Sequence, residues 1–208
     1  MRLVVLGATG GVGLEIVRQA IARNHHIKAF VRSAARLRPF DGQIDIDQGD
    51  LLNPDALEQA IRGCDAIVSG FGPRLPISKT DANLLRDFAA ALTQAMRQTG
   101  VRRVIVVSTA FLFRNAIIPP AHFLGHLLFP GVVTDATAME RIFLTSGVDW
   151  TLVRPPQLTD KAHTGRYRVR DGRLPLFGFK ISRADVADCC LRTVEDSSTV
   201  RKILGVSR

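Results

Sequence analysis

Cysteine and the larger aromatics are scarce in this chain: three cysteines, one tryptophan and one tyrosine among 208 residues. Cys64, Cys189 and Cys190 make no C-x-x-C pair, so neither a disulfide framework nor a thiolate metal site is expected, and the thiols fit a reducing compartment. No apolar run reaches the length that spans a bilayer, which argues against a membrane helix. Aromatics other than phenylalanine are too few for a platform on which single-stranded nucleic acid stacks. A Tyr-x-x-x-Lys pair is also missing, because Tyr167 is followed four residues on by Asp171. Without that dyad, ordinary alcohol–ketone chemistry has no evident general acid, and Tyr167 is expected to pack in the C-terminal part. One further gap is electrostatic. Between Ile16 and Phe40 there is no acidic residue, whereas Arg18, Arg23, Lys28, Arg32, Arg36 and Arg38 are all basic.

What is present reads as one globular domain over residues 1–208. Hydrophobic residues make up 46% and charged ones 23%, ordinary values for a soluble fold with a substantial core. The net charge of +9 is spread along the chain and not gathered into a tract, so surface charge explains it better than nucleic-acid binding. Met1–Leu6 meets a glycine turn at once, too soon for a signal-peptide core. A cytoplasmic protein is the expectation.

The most informative stretch runs from Leu3 to Gly13. A short apolar strand, Leu3–Leu6, enters a turn with glycines at 7, 10 and 13, and a helix follows through Leu14–Ala22 with apolar residues at helical spacing. This G-x-x-G-x-x-G spacing is a variant of the dinucleotide fingerprint, in which glycine permits the tight turn, backbone approach to a pyrophosphate and close helix–strand packing. The helix N-terminus offers unpaired N–H groups and the positive end of its dipole to phosphate. In the NAD pattern a carboxylate ends the second strand and accepts from the ribose hydroxyls. Here Arg32 stands in that place after Ile27–Val31, with Ser33 beside it and Arg36 near enough for a second clamp. An arginine fork matches a phosphate, and no carboxylate repels it. NADP, not NAD, is the expected cofactor; surface solvation is the competing role for both arginines.

Strands then alternate with helices: strands at 44–51, 66–69, 103–108, 150–153 and 202–206, helices at 54–62, 78–98 and 135–146, and a last helix capped at Ser182–Asp185. This order implies an α/β fold, a doubly wound and mostly parallel Rossmann sheet with helices on both faces. Ligands in such sheets lie at the carboxyl ends of the strands. That rule nominates Asp50 and Leu51, Phe71, Gly72 and Arg74, Ser108 and Thr109, and Pro155, Pro156 and Gln157. Asp50 either reaches an adenine amino group or serves its own turn. Arg74 either neutralises phosphate or an acidic substrate, or faces water.

Gly-Ala-Thr-Gly at 7–10, Val-Arg-x-x-x-Arg at 31–36, Gly-Asp-Leu at 49–51, Ser-Thr-Ala-Phe-Leu at 108–112, Ser-Gly-Val-Asp-Trp at 146–150, Arg-Pro-Pro at 154–156, and Thr-Gly-x-Tyr at 164–167 followed by Asp-Gly-Arg at 171–173 occur together in this chain. As a set they resemble the atypical short-chain dehydrogenase/reductases, and among them the biliverdin-IXβ reductase/flavin reductase family, over nearly the whole chain. The resemblance implies a single NADP-binding Rossmann domain with a shallow substrate site over the nicotinamide, reducing flavins and linear tetrapyrroles. It implies that Gly7, Thr9, Gly10, Gly11 and Val12 hold the phosphates, Arg32 and Arg36 the 2′-phosphate, and Asp50 and Leu51 the adenine. Phe71, Gly72 and Arg74 then flank the ribose and diphosphate; Ser108 and Pro155, nominated by their place at strand ends, are read as further cofactor-binding residues.

Two positions depart from the family. Thr109 replaces a serine near the nicotinamide and keeps the hydroxyl. Gln157 replaces an active-site histidine, and glutamine hydrogen-bonds but cannot titrate. That weakens biliverdin as substrate more than flavin, since hydride transfer is the cofactor's own chemistry. Thr109 and Gln157 remain the candidate catalytic residues. The expected function is NADPH-dependent hydride transfer to a flavin, tetrapyrrole or quinone-like acceptor; the alternative is a non-catalytic NADP-binding sensor. The expected partner is a small aromatic or conjugated molecule, with no metal, and the chain a monomer or weak homodimer. Finally, the apolar segment 116–133 is longer than its family counterpart. It is read as core or a substrate lid hinged at Pro119-Pro120 and Pro130-Gly131, with a membrane- or partner-facing patch as the alternative, and His122 and His126 there lack a third ligand.

Overall fold

Apolar runs set the central strands of this fold, and their two faces are covered by separate sets of helices. The computed structural model describes residues 1–73, 83–113 and 130–208. Arg74, the expected helix start at Ser78, His122, His126 and the segment 116–129 lie outside them. The first half of the chain gives β1 (Arg2–Leu6), α1 (Gly11–Ala22), β2 (His26–Val31), β3 (Asp45–Gln48), α2 (Pro54–Ile61), β4 (Ala66–Ser69), α3 (Leu84–Thr99) and β5 (Arg103–Val107). The second half gives α4 (Pro130–Thr145), β6 (Asp149–Arg154), β7 (Gln157–Thr159), β8 (Arg168–Asp171), β9 (Lys180–Ser182), α5 (Arg183–Glu195) and β10 (Lys202–Ser207).

Eight strands form the main sheet in the order β3-β2-β1-β4-β5-β6-β10-β8, parallel throughout except for β8, which runs antiparallel to β10 at the edge. β7 and β9 pair separately. Side chains alternate across the pleat. Val4, Leu6, Ile67, Val104, Val106 and Leu152 therefore join the core under α2, α3 and α4, while Leu3, Val5, Val68, Ile105 and Val153 join the core under α1 and α5. Both faces being buried explains why these strands read as continuous apolar runs.

The expected helix at 135–146 begins five residues earlier, at Pro130. Proline is well placed in a first helical turn because its missing N–H is an orphan there anyway. Pro130-Gly131 is thus part of α4 and not a hinge. Asp135, buried in this helix, accepts from the N–H groups of Leu85 (2.8 Å) and Arg86 (3.0 Å) and so caps α3 from a distance.

Candidate functional site

Parallel register brings five loops to one edge. Leu6 pairs with Phe30 and Ser69, Ser69 with Val106, and Val107 with Val153. The residues that follow each strand, Gly7, Arg32, Gly70-Phe71, Ser108-Thr109 and Pro155, consequently line the carboxyl edge of the sheet. The strand order reverses direction between β1 and β4, the switch point at which such sheets bind ligands.

At that point the glycine turn is set by contact. Gly7 has φ +72°, and a Cβ on it would lie 2.6 Å from the Phe71 backbone nitrogen. A Cβ on Gly13 would collide with the carbonyl of Gly7, so α1 packs against the turn only as glycine. The Gly10 N–H donates to the Gly7 carbonyl (2.9 Å), and the first helical bond runs from the Leu14 N–H to the Gly10 carbonyl (2.9 Å). The N–H groups of Gly11, Val12 and Gly13 therefore stand ahead of the helical ladder. α1 has neither a side-chain cap nor an acid in its first turn. Three other helix starts differ: Asn53 caps α2, Ser182 caps α5, and Asp135 serves α3. The glycine turn and bare N-terminus fit a dinucleotide diphosphate.

Arg32 follows β2 and is exposed, and the Arg36 guanidinium donates to the Thr9 carbonyl at 2.6 Å, so it lies against the glycine turn. The carboxylate of Asp50 accepts from the Leu52 N–H (3.0 Å), the turn role foreseen as its alternative. Leu51 is 4% exposed, its side chain packed within the core. Phe71 is half-buried and tilts against Phe88, with ring centroids 4.8 Å apart, while Gly72 is exposed. Thr109 is extended, and its hydroxyl accepts from the Phe111 N–H (3.3 Å). The Ala110 N–H donates to the carbonyl of buried Pro155 (3.0 Å), tying the loop after β5 to the loop after β6. Gln157 is exposed at the start of β7, its N–H directed at the Phe179 carbonyl (3.3 Å).

Sequence reasoning missed the support beneath this edge. Ser108 Oγ donates to Glu140 Oε1 at 2.5 Å, and Arg154 Nε donates to the same oxygen at 2.9 Å, while Arg154 Nη2 pairs with Oε2. Arg154 also sits 4.6 Å over the Phe113 ring. The one available signal was an arginine closing an apolar strand, Trp-Thr-Leu-Val-Arg, where a charge is buried only with a partner.

Tyr167 packs in the C-terminal part, as expected. Its hydroxyl donates to Asp188 Oδ2 (2.5 Å) beneath α5, and burial first, then that bond, pushes its ionisation far above the usual range. A cleft of about 350 Å³ near it, lined by Tyr167, Cys189, Arg192 and Lys202 among others, holds none of the candidate site residues. Among the described residues no helix is long and apolar enough to cross a membrane, and no group of three or more His, Cys, Asp or Glu is arranged to hold a metal.

The fold has close counterparts among solved structures. A short-chain dehydrogenase/reductase of Veillonella parvula superposes over 100% of this chain and 94% of its own with a TM-score of 0.86 at 20% identity. An anaerobilin reductase of Escherichia coli O157:H7 superposes over 100% of this chain and 97% of its own, with a TM-score of 0.80 at 20% identity. In sequence, the photosystem II assembly factor Ycf39 of Synechocystis is 31% identical over 99% of this chain and 62% of its own length, so the chain spans under two thirds of that relative. Sanguinarine reductase of Eschscholzia californica is 23% identical over 91% of this chain and 81% of its own. Residues 7–197, from the first glycine of the turn to just past the end of α5, match the family described as NAD(P)H-binding, and the chain belongs to that family.

Proposed function

We propose that the chain is an NADPH-dependent reductase passing hydride to a small conjugated acceptor such as a flavin, a linear tetrapyrrole or a quinone-like ring. The observation that carries this reading is the arginine pair at the adenosine end: Arg36 held on the Thr9 carbonyl and Arg32 at the end of β2, where a carboxylate would select NAD. Bound NADPH supplies the hydride. The turn from Gly7 to Val12 cradles the diphosphate, chiefly through the N–H groups of Gly11 and Val12, and Arg32 and Arg36 clamp the 2′-phosphate. Asp50 and the Leu51 backbone meet the adenine; Phe71 and Gly72 wall the ribose.

On the acceptor side, Thr109 and Gln157 provide hydrogen bonds from two loops that the Ala110–Pro155 bond keeps together. Gln157 adjoins the loop leading into β9, where Leu176, Phe177 and Phe179 are 46%, 75% and 52% exposed. Phe177 is held at φ +56°, a costly conformation for a bulky residue and one that functional sites tolerate. An apolar rim with two polar anchors suits a flat conjugated ring. Neither Tyr167, bonded to Asp188, nor Gln157 delivers a proton, so the reduced acceptor takes its proton from solvent. The names anaerobilin reductase and sanguinarine reductase among the similar proteins support a reductase.

A second reading, nucleotide binding without turnover, is favoured by the untitratable Gln157 and by the likeness to an assembly factor. Anaerobic NADPH oxidation against FMN, a soluble quinone and biliverdin separates the two. Catalytic turnover with at least one acceptor supports the reductase; tight NADPH binding with no oxidation against any of them overturns it.

A further inference from the structure

Arg183 opens α5, and its side chain lies across the start of α1. A Cβ on Gly11 would meet Arg183 Cδ at 2.5 Å and Nε at 2.7 Å. The guanidinium thus sits at two helix N-termini, its own and that of uncapped α1, where the backbone already presents positive charge. Its carboxylate partner is Asp160, at 2.5 Å and with a side chain 88% exposed. So open an ion pair contributes little to stability. Nor is it needed to hold its loop. Buried Asp185 accepts from the Thr164 N–H (2.8 Å), the Thr164 hydroxyl (2.9 Å) and the Gly165 N–H (2.9 Å), which already fixes the chain after β7 on α5. An arginine kept in a positive field by a weak, exposed partner is arranged for a stronger anion.

We infer that Arg183 is a further cofactor-positioning residue, which exchanges Asp160 for the dinucleotide diphosphate seated on Gly10–Val12. The inference rests on the nucleotide site proposed above. Asp160 is then a competitor: it holds the guanidinium over Gly11 until phosphate oxygens displace it, and the fork is suited to two of them at once. Arg183 reads the diphosphate common to NADPH and NADH, whereas Arg32 and Arg36 read the 2′-phosphate.

Calorimetric titration of the full chain with NADPH, NADH, ADP-ribose and adenosine 2′,5′-bisphosphate tests this. Arg183→Gln is expected to weaken NADPH, NADH and ADP-ribose by at least about tenfold each, as loss of a charge-assisted contact does. Its affinity for adenosine 2′,5′-bisphosphate, which keeps only the adenosine-side phosphate of the diphosphate, should fall less than that for NADPH. Asp160→Asn should tighten the same three ligands, because the competitor is gone. A merely structural pair predicts otherwise: both variants break it, and both shift binding in the same direction. Equal effects of the two variants, or unchanged ADP-ribose binding in Arg183→Gln, overturn the inference. Wild-type protein that binds none of the four ligands overturns instead the nucleotide reading on which it rests.

Discussion

Removing the Glu140 carboxylate is the sharpest perturbation of the framework under the site. Glu140 is 3% exposed and Arg154 9%, and the pair is completed by the Ser108 hydroxyl and the Phe113 ring. Glu140→Ala leaves a buried guanidinium with only a ring for company, a change that costs about 3–5 kcal/mol. Unfolding entropy of roughly 2.1 cal/mol/K per residue, taken over 208 residues, is about 0.44 kcal/mol/K. The midpoint should therefore fall by about 7–11 °C, read by circular dichroism at neutral pH. Replacing both partners, Glu140→Met with Arg154→Met, should recover most of the loss, since an apolar pair of similar volume avoids two desolvations. Glu140→Ala melting within about 2 °C of wild type would refute the reasoning and mean that water reaches Arg154.

Three further outcomes follow from the same contacts. Burial alone would raise the Asp188 carboxyl, but the Tyr167 hydroxyl, Arg192 and Arg23 outweigh it and hold it below the usual range. With the folded value depressed, its stabilisation is complete above about pH 4, the unfolded value, and is lost as pH falls through the folded one. Asp188→Asn should lower the neutral-pH midpoint and flatten its decline below pH 4; an unchanged acid slope contradicts this. Burial pushes the Cys64 thiol up to about 11 and Cys189 to about 12, so iodoacetamide at neutral pH should label the native chain only slowly, and rapid labelling of Cys64 would contradict its packing. Gln157→Ala should keep acceptor-dependent NADPH oxidation within about tenfold of wild type; a loss in kcat beyond about a thousandfold, near the usual reach of general acid–base catalysis, would give this side chain a chemical role.

The parallel core was legible because its strands are buried on both faces, so Leu3–Leu6, Ala66–Ser69 and Arg103–Val107 stand out as apolar runs between helical patterns. The glycine turn was legible because contacts between backbones, Gly7 on Phe71 and Gly13 on Gly7, leave no room for other residues. β8 was not: all four of its residues are exposed at a sheet edge, so Arg168–Asp171 carries no alternation to read. β7 and β9 are three residues each, too short for a period. Glu140 and Arg183 were missed for a different reason. Each is an ordinary surface-type residue of an amphipathic helix until tertiary packing sets it against Arg154 or Gly11. Local pattern carries no trace of such a meeting.

Cofactor choice tests the nucleotide site most directly. Titration of the purified chain with NADPH and NADH by calorimetry should give NADPH at least about tenfold tighter, the smallest gain expected from one charge-assisted phosphate contact. In Arg32→Glu the preference should collapse through loss of NADPH binding, with NADH largely spared. Equal dissociation constants for the two nucleotides in the wild-type chain would contradict the assignment of Arg32 and Arg36 to a 2′-phosphate.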